Sequence, residues 1–467
     1  MFLIGDDFLN NFLNELKKKI LVFDGSKGYL LQKFGMKGGE CPELWNIEHK
    51  DVVRKIYSLY KEAGSDVIQT NTFTGNRAHL ERHGLGDKTY ELNFEGTKLA
   101  KEVMGSDGFV AASIGPTGML MEPMGDLTFD KAYELYREQV QAVADGGADI
   151  INFETFTDVS EMKVALLAAK ETTDLPVICS MSFESNGRTL MGTDPETVVV
   201  ILKSLGADLI GTNCSFGPEL MVDIVRKMHS AGAGFLSVKP NAGLPEIIDG
   251  VSVYKETADN FANLASKFVN YGGRLIGGCC GTTPEFIKAI RQEIDKINAN
   301  LSSAGSICKI ENNEALGSVI SSSVRGIRID DYESANIGYL STKNDKELLN
   351  KLAGCDLSIV MDKVMDLSEE EYDCIQINID DAIEAVRNSC SAGNGSCDLL
   401  SKVVNEAQGF LKEPFIFETL YPDELEIALR VYKGRAGIVL DAQALNSEKV
   451  DSVRHIAKKY GAVIIYK

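Results

Sequence analysis

Between residue 20 and about residue 295 the hydrophobic positions follow two alternating rhythms. Short aliphatic and β-branched runs give way to longer stretches in which apolar side chains recur every three or four positions. The runs are Ile20–Asp24, Asp66–Phe73, Phe109–Gly115, Ile150–Phe156, Pro176–Phe183, Asp208–Ser215, Gly234–Asn241 and Arg274–Cys280. The stretch Asp51–Ala63 is typical of what lies between them, with apolar residues at 52, 53, 56, 57, 59 and 60 before Gly64 breaks the helix. The same device of helix, glycine, strand recurs at Asp145-Gly146-Gly147-Ala148-Asp149, Leu205-Gly206-Ala207-Asp208 and Tyr271-Gly272-Gly273. Eight such units in succession predict an α/β domain over residues 1–295, a (β/α)8 TIM barrel. A doubly wound sheet needs fewer strands and usually a glycine-rich phosphate turn.

The pattern then changes. Residues 296–313 are polar and rich in Ser, Asn and small side chains, the composition of a linker. Beyond them, residues 314–467 carry the runs Ser358–Met361, Cys374–Ile379, Phe415–Thr419, Gly437–Leu440 and Ala462–Tyr466, separated by helical segments such as Asp423–Tyr432. The prediction is a smaller, incomplete parallel α/β domain, too short for eight units, with a loop at Asn388–Ser396. Its open sheet edges need covering by the first domain, by a second copy of the chain or by a partner.

A chain of 467 residues with 44% hydrophobic and 25% charged positions is consistent with two folded domains. Lysine and arginine total 48 against 68 acidic residues, a net charge of −20, so a nucleic-acid partner is excluded over most of the surface. No apolar run reaches the roughly 20 residues of a membrane span. The opening Met1-Phe2-Leu3-Ile4-Gly5-Asp6-Asp7 lacks a basic, signal-like start. A cytoplasmic location is expected, and with it ten reduced cysteines unless they bind metal or do chemistry.

Chemistry-bearing residues gather where the predicted strands end: Asp24, Asn71 with Thr72, Glu154, Cys214, Asn241, and the adjacent Cys279 and Cys280. In a parallel barrel these ends converge on one rim, where active sites lie. The vicinal cysteines between Gly278 and Gly281 fit metal binding or redox chemistry, while a single cysteine such as Cys214 is by itself more often a small core residue than a ligand. A structural zinc site usually takes four ligands at close spacing, and no fourth cysteine or histidine stands in a compact knuckle here. Zinc held by three cysteines leaves one position open, and a thiol bound there is deprotonated near neutral pH although free thiols, with pKa near 8.5, are not. His229 precedes Ser230-Ala231-Gly232, superficially like a cobalamin-ligating Asp-x-His-x-x-Gly, but position 227 is Lys. Cobalamin is therefore expected only through a separate protein.

These residues, in order, resemble the homocysteine S-methyltransferases, and most closely the N-terminal homocysteine-binding module of cobalamin-dependent methionine synthase. The resemblance covers roughly residues 18–295 and rests on Asp24-Gly25-Ser26-Lys27-Gly28, Gly64 to Phe73, Ile114-Gly115-Pro116-Thr117-Gly118, Phe153-Glu154-Thr155-Phe156, Gly211-Thr212-Asn213-Cys214-Ser215, Pro240-Asn241-Ala242-Gly243 and Gly277-Gly278-Cys279-Cys280-Gly281-Thr282-Thr283-Pro284. It implies zinc on Cys214, Cys279 and Cys280 with homocysteine sulfur as fourth ligand. It implies that Asp24, the Gly25 backbone and Glu154 bind the amino-acid end of the substrate, that Asn241 lends its carboxamide oxygen to zinc when substrate is absent, and that no catalytic group is needed beyond the zinc-activated thiolate. Two positions depart from the family: Lys27 stands where small or apolar residues are usual, and Lys239 where an acidic or aromatic residue is common. Two added cations at the rim favour an anionic substrate group.

The C-terminal third more faintly resembles the opening half of a methyltetrahydrofolate (pterin)-binding barrel, through Ile375-Gln376-Ile377-Asn378-Ile379-Asp380, Phe417-Glu418-Thr419 and Lys459 to Ile465. Glu418 replaces the usual Asp there, and the Asn-Ser pair usual near Leu440-Asp441 is missing, so the resemblance implies a truncated domain. The expected activity is methylation of homocysteine to methionine, with the methyl group from a separate corrinoid protein or a small donor. The same chemistry on another thiol, and a catalytically silent zinc-bearing scaffold that recruits a corrinoid protein, are the alternatives.

Overall fold

The computed structural model describes residues 11–244, 246–248, 251–303, 316–389, 398–441, 443 and 446–467. By internal packing the chain divides into two units, one made of 1–120, 130–191 and 207–313 and the other of 121–129, 192–206 and 314–467. Two short segments from between the first unit's strands thus group with the C-terminal residues.

In the first unit eight parallel strands form one sheet: β1 (Leu21–Val22), β2 (Val67–Gln69), β3 (Phe109–Ile114), β4 (Ile150–Phe156), β5 (Val177–Met181), β6 (Leu209–Cys214), β7 (Leu236–Pro240) and, after an antiparallel hairpin of β8 (Glu246–Ile248) and β9 (Val251–Val253), β10 (Gly273–Ile276). β10 pairs with both β7 and β1, and a bridge from Phe23 to Val67 joins β1 to β2, which closes the ring. All eight predicted strands are present, most trimmed at their ends. The two-residue β1 is held by its neighbours: Val22 N–H donates to Asp66 Oδ2 at 2.8 Å and Asp66 N–H to the Val22 carbonyl at 2.8 Å.

One end of the barrel is filled by apolar side chains. Leu21, Val67, Ala111, Ile150, Ile178, Leu209 and Leu275 each come from a different strand, and Phe12 and Leu16 of the helix Asn11–Lys18 pack onto them. Phe12 and Leu16 lie one helical turn apart, so the helix turns a single face inward. Burying each contributes roughly 1.5–3 kcal/mol. With that end plugged, polar side chains near the strands' C-terminal ends are left to line the other.

The expectation of a linker from residue 296 is corrected for 296–303, which continue the helix Pro284–Ser303; residues 304–313 lie outside the described residues. Ile287, Ile290 and Ile294 carry the buried stripe of this helix, and the polar composition of its last turns hides a specific contact. Asn298 accepts from Ile20 N–H at 2.9 Å and donates to the Ile20 carbonyl at 3.0 Å, satisfying both backbone groups just ahead of β1.

The C-terminal unit contains a five-stranded parallel sheet in sequential order: β13 (Ile337–Ser341), β14 (Cys374–Asn378), β15 (Phe415–Glu418), β16 (Gly437–Leu440) and β17 (Val463–Tyr466). An antiparallel hairpin, β11 (Val319–Ser321) with β12 (Gly326–Arg328), packs Ile320 and Ile327 against Cys374, Ile416 and Val439. The sequence placed the first strand at Ser358–Met361, and this is corrected: Ser358–Ser368 is a helix, and β13 takes the strand's place. A four-residue apolar run carries no period of its own. Its continuation to Val364 shows helical spacing with Val360, and both are buried. Of the Asn388–Ser396 loop, Asn388 and Ser389 end a helix and the rest lies outside the described residues. Among the described residues no helix is long and apolar enough to cross a membrane.

Asn298→Ala leaves the N–H and carbonyl of Ile20 without these partners. A loss of about 1–2 kcal/mol is expected, read as a lower urea midpoint for the first unit with an unchanged slope.

Candidate metal and substrate site

Cys214, Cys279 and Cys280, which are 65 and more positions apart in the case of Cys214, meet with their sulfur atoms all within 4.8 Å of one another. The backbone achieves this by local departures from regular geometry. Cys214 ends β6 at φ +63° and Ser215 follows at +64°, a left-handed pair costing on the order of 1–3 kcal/mol each. The pair turns the chain sharply, and Phe216 N–H returns to the Cys214 carbonyl at 2.8 Å. The other two ligand candidates sit in the loop after β10. Its amides are tied down: Cys279 N–H donates to the Pro240 carbonyl at 2.8 Å, and Cys280 N–H to Asn241 Oδ1 at 3.0 Å. Gly281, at φ +78°, closes the loop where a side chain would strike the Tyr254 ring.

The donor set fits a zinc ion. Sγ of Cys214 and Cys280 are 3.8 Å apart, and the edge of a tetrahedron with metal–sulfur bonds of about 2.3 Å is about 3.8 Å long. All three residues are half-buried. Without a cation they share protons. Hydrogen bonds from the Cys279 and Cys280 thiols hold Cys214 down at about 3, and donation to Cys214 pushes Cys279 up to about 11 and Cys280 further still. Burial, with the negative potential of the cysteines added to it, also pushes the Tyr254 hydroxyl up to about 12.

Asp24 and Glu154 lie deeper in the mouth. Asp24 is fully buried just past β1. Its Oδ2 accepts from Gln69 N–H at 2.8 Å and from Lys27 Nζ at 3.1 Å, whereas Oδ1 has no hydrogen-bond partner among the described residues. Burial pushes this carboxyl above its ordinary range against the pull of Lys27. Glu154 is turned inward by an irregularity of β4: the register with β5 slips between Phe153 and Phe156, and Thr155 takes φ +66°. Its Oε1 accepts from Gln69 Nε2 at 2.5 Å and from Ser113 Oγ, and its Oε2 forms an ion pair with Lys239 Nζ. Lys239 is only 1% exposed and also lies 4.5 Å from the centre of the Phe23 ring.

The sequence-predicted residues therefore fall into two neighbouring groups, three sulfurs and two carboxylates, with Asn241 against the first and Gly25 packed on Thr282. In this structure the carboxamide oxygen of Asn241 serves the Cys280 amide. The two rim cations of the sequence reading are corrected in one respect: Lys239 is buried and paired. Sequence reasoning gave no role to Gln69, which joins both carboxylates, or to Asn213, whose Nδ2 reaches Cys279 Sγ at 3.6 Å and Thr155 Oγ1 at 2.8 Å. Ser113 and Tyr254 were likewise missed. Gln69 and Asn213 stand inside the motifs quoted above, next to the strand ends that drew attention, and that adjacency is the signal that was available.

A family model described as homocysteine S-methyltransferase matches residues 21–294. The methionine synthases of Mycobacterium leprae and Mycobacterium tuberculosis are each 31% identical to this chain, over 306 and 305 residues, which is 61% of the chain and 25% of those proteins. The chain thus spans about a quarter of the length of these curated relatives. Among solved structures, the homocysteine methyltransferase MmuM from Escherichia coli superposes with a TM-score of 0.51 in its oxidised and metallated forms, at 23% identity, covering 62% and 61% of this chain and 99% of MmuM. That likeness is one of fold.

Two outcomes are expected. Because Cys279 and Cys280 hold protons that a divalent cation displaces, zinc affinity measured against a competing chelator rises by about a hundredfold per pH unit near neutrality, and by about tenfold in Cys280→Ser. Lys239→Met leaves Glu154 buried without its cation and destabilises by about 3–5 kcal/mol, most of which Lys239→Met with Glu154→Gln restores, as read by urea denaturation.

Proposed function

The chain belongs to the homocysteine S-methyltransferase family, and from that premise we propose that it transfers a methyl group to the sulfur of homocysteine, giving methionine, at a zinc site made by Cys214, Cys279 and Cys280. The observation that carries this reading is the convergence of three sulfurs within 4.8 Å of one another, beside two buried carboxylates. Zinc, when bound, supplies an acceptor sulfur that is thiolate at neutral pH and still nucleophilic. Three cysteinates against one divalent ion leave the ligand set negative, which keeps that sulfur electron-rich.

The protein's own part is to hold and orient. Asn213 and Asn241 fix the cysteine loop through Cys279 Sγ and the Cys280 amide. Asp24 with the Gly25 backbone, Glu154 and Asn241 bind the amino-acid end of the substrate, the unpartnered Asp24 Oδ1 being the natural seat for an N–H donor. Gln69 keeps the two carboxylates in register. In the transfer a sulfur–carbon bond forms from the thiolate lone pair as the donor–methyl bond breaks, and the thiol proton has already left to solvent, so no side chain acts as acid or base. The methyl group comes from a separate corrinoid protein or from a small donor, and cobalamin takes part only through such a partner.

For residues 314–467 we keep the reading of a truncated pterin-binding-like domain, separate from the homocysteine-binding barrel. Five parallel strands in sequential order, the arrangement of part of a barrel, support it.

Purified protein is expected to contain about one zinc per chain, falling to near zero in Cys279→Ala. Homocysteine should add a fourth sulfur to the zinc shell in X-ray absorption. Metal-free protein from zinc-replete cells would overturn the mechanism. Methionine formation should then be screened with a methyl-corrinoid protein, methyltetrahydrofolate, S-methylmethionine and betaine as donors.

A further inference from the structure

The site contains charges that binding an ammonium group does not require. Glu154 has both oxygens engaged, by Gln69 and Ser113 on one side and by Lys239 on the other. Asp24 has one oxygen engaged by Lys27 and Gln69. Two buried carboxylates are thus matched by two ammonium groups, so neither carboxylate is left without a cation beside it before any substrate enters. Among the described residues a substrate ammonium finds one open carboxylate acceptor, Asp24 Oδ1.

The lysines have more to offer than they use. An ammonium group has three donors. Lys27 Nζ, on a side chain 11% exposed, reaches Asp24 Oδ2 at 3.1 Å and Gln69 Oε1 only at 3.4 Å. Among the described residues Glu154 is the one hydrogen-bond acceptor recorded for Lys239, whose other contact is the face of Phe23. Lys239 also immediately precedes Pro240, whose carbonyl receives the Cys279 amide, so its charge lies beside the sulfur group. Unused donors on confined cations are what a carboxylate of a substrate would satisfy.

We propose that Lys27 and Lys239 determine acceptor specificity: the thiol is selected by an anionic group, which these lysines receive, and its α-ammonium is dispensable. The proposal rests on the zinc-thiolate reading above and names the feature of the substrate that the site requires. Homocysteine satisfies it through its carboxylate, with its ammonium at Asp24 Oδ1 as a lesser contribution. Thiols that carry a carboxylate and no amine belong to the same accepted class.

The test is calorimetric binding to the zinc-loaded full chain of three thiols with the same carbon spacing: homocysteine, mercaptobutyrate, which lacks the amine, and aminopropanethiol, which lacks the carboxylate. Mercaptobutyrate is expected within about tenfold of homocysteine and aminopropanethiol at least about a hundredfold weaker. Lys27→Met should weaken both carboxylate thiols by about tenfold or more and leave aminopropanethiol unchanged; Lys239→Gln should do the same where zinc content shows that it folds. Equal or tighter binding of aminopropanethiol, or a Lys27→Met variant that keeps the wild-type ratio, overturns the proposal while leaving zinc-thiolate chemistry intact. Failure of all three thiols to bind zinc-replete protein overturns both.

Discussion

A carboxylate taken out of water is strongly destabilising unless a cation or several donors replace the lost hydration, and the mouth of this barrel holds two of them. Asp24 and Glu154 stay buried because Lys27 and Lys239 stand against them and because Gln69 gives its backbone N–H to one and its side-chain amide to the other. Five side chains from four different strands and one helix start are thereby fixed in a single network. Moving one strand end would break several charge-assisted bonds together, so the network fixes the strand ends beside the sulfur group.

Sulfur chemistry adds a second constraint. Three thiols at this separation cannot all ionise unaided, and the chain accepts left-handed backbone at Cys214 and Ser215 to bring them together. Strain concentrated at one strand end, with a hydrogen-bonded loop opposite, is how a fold holds reactive groups at a fixed separation. Asn213 links the two constraints: it accepts from Thr155 N–H beside Glu154 and donates to Cys279 Sγ.

The barrel was legible in the sequence because its strands are buried on both faces and read as continuous apolar runs, and because a glycine marks most helix ends. The cysteines and carboxylates were legible because they interrupt those runs at their ends. What stayed hidden depended on partners distant in sequence. Lys239 reads as a rim charge until Glu154, 85 positions earlier, is seen beside it. Asn298 reads as linker composition until it is found against Ile20. Ser358–Met361 was misread because so short a run has no period, and β13 was missed because Ile337, Gly338 and Tyr339 mix burial classes within one strand.

The contact between Asn298 and Ile20 has a further meaning for how the molecule is made. Those residues are 278 positions apart, so the first strand emerges from the ribosome long before the helix that completes its surroundings. Closing so long a loop is slow compared with local helix formation. Until β10 and the following helix exist, β1 has an empty flank and the cysteine pair that would join Cys214 has not been synthesised. At elongation rates of about 5–20 residues per second, the nascent barrel spends many seconds as an open sheet with exposed edges. Ring closure and assembly of the sulfur site are then nearly one event, so an incompletely translated chain has neither a closed ring nor all three sulfurs together.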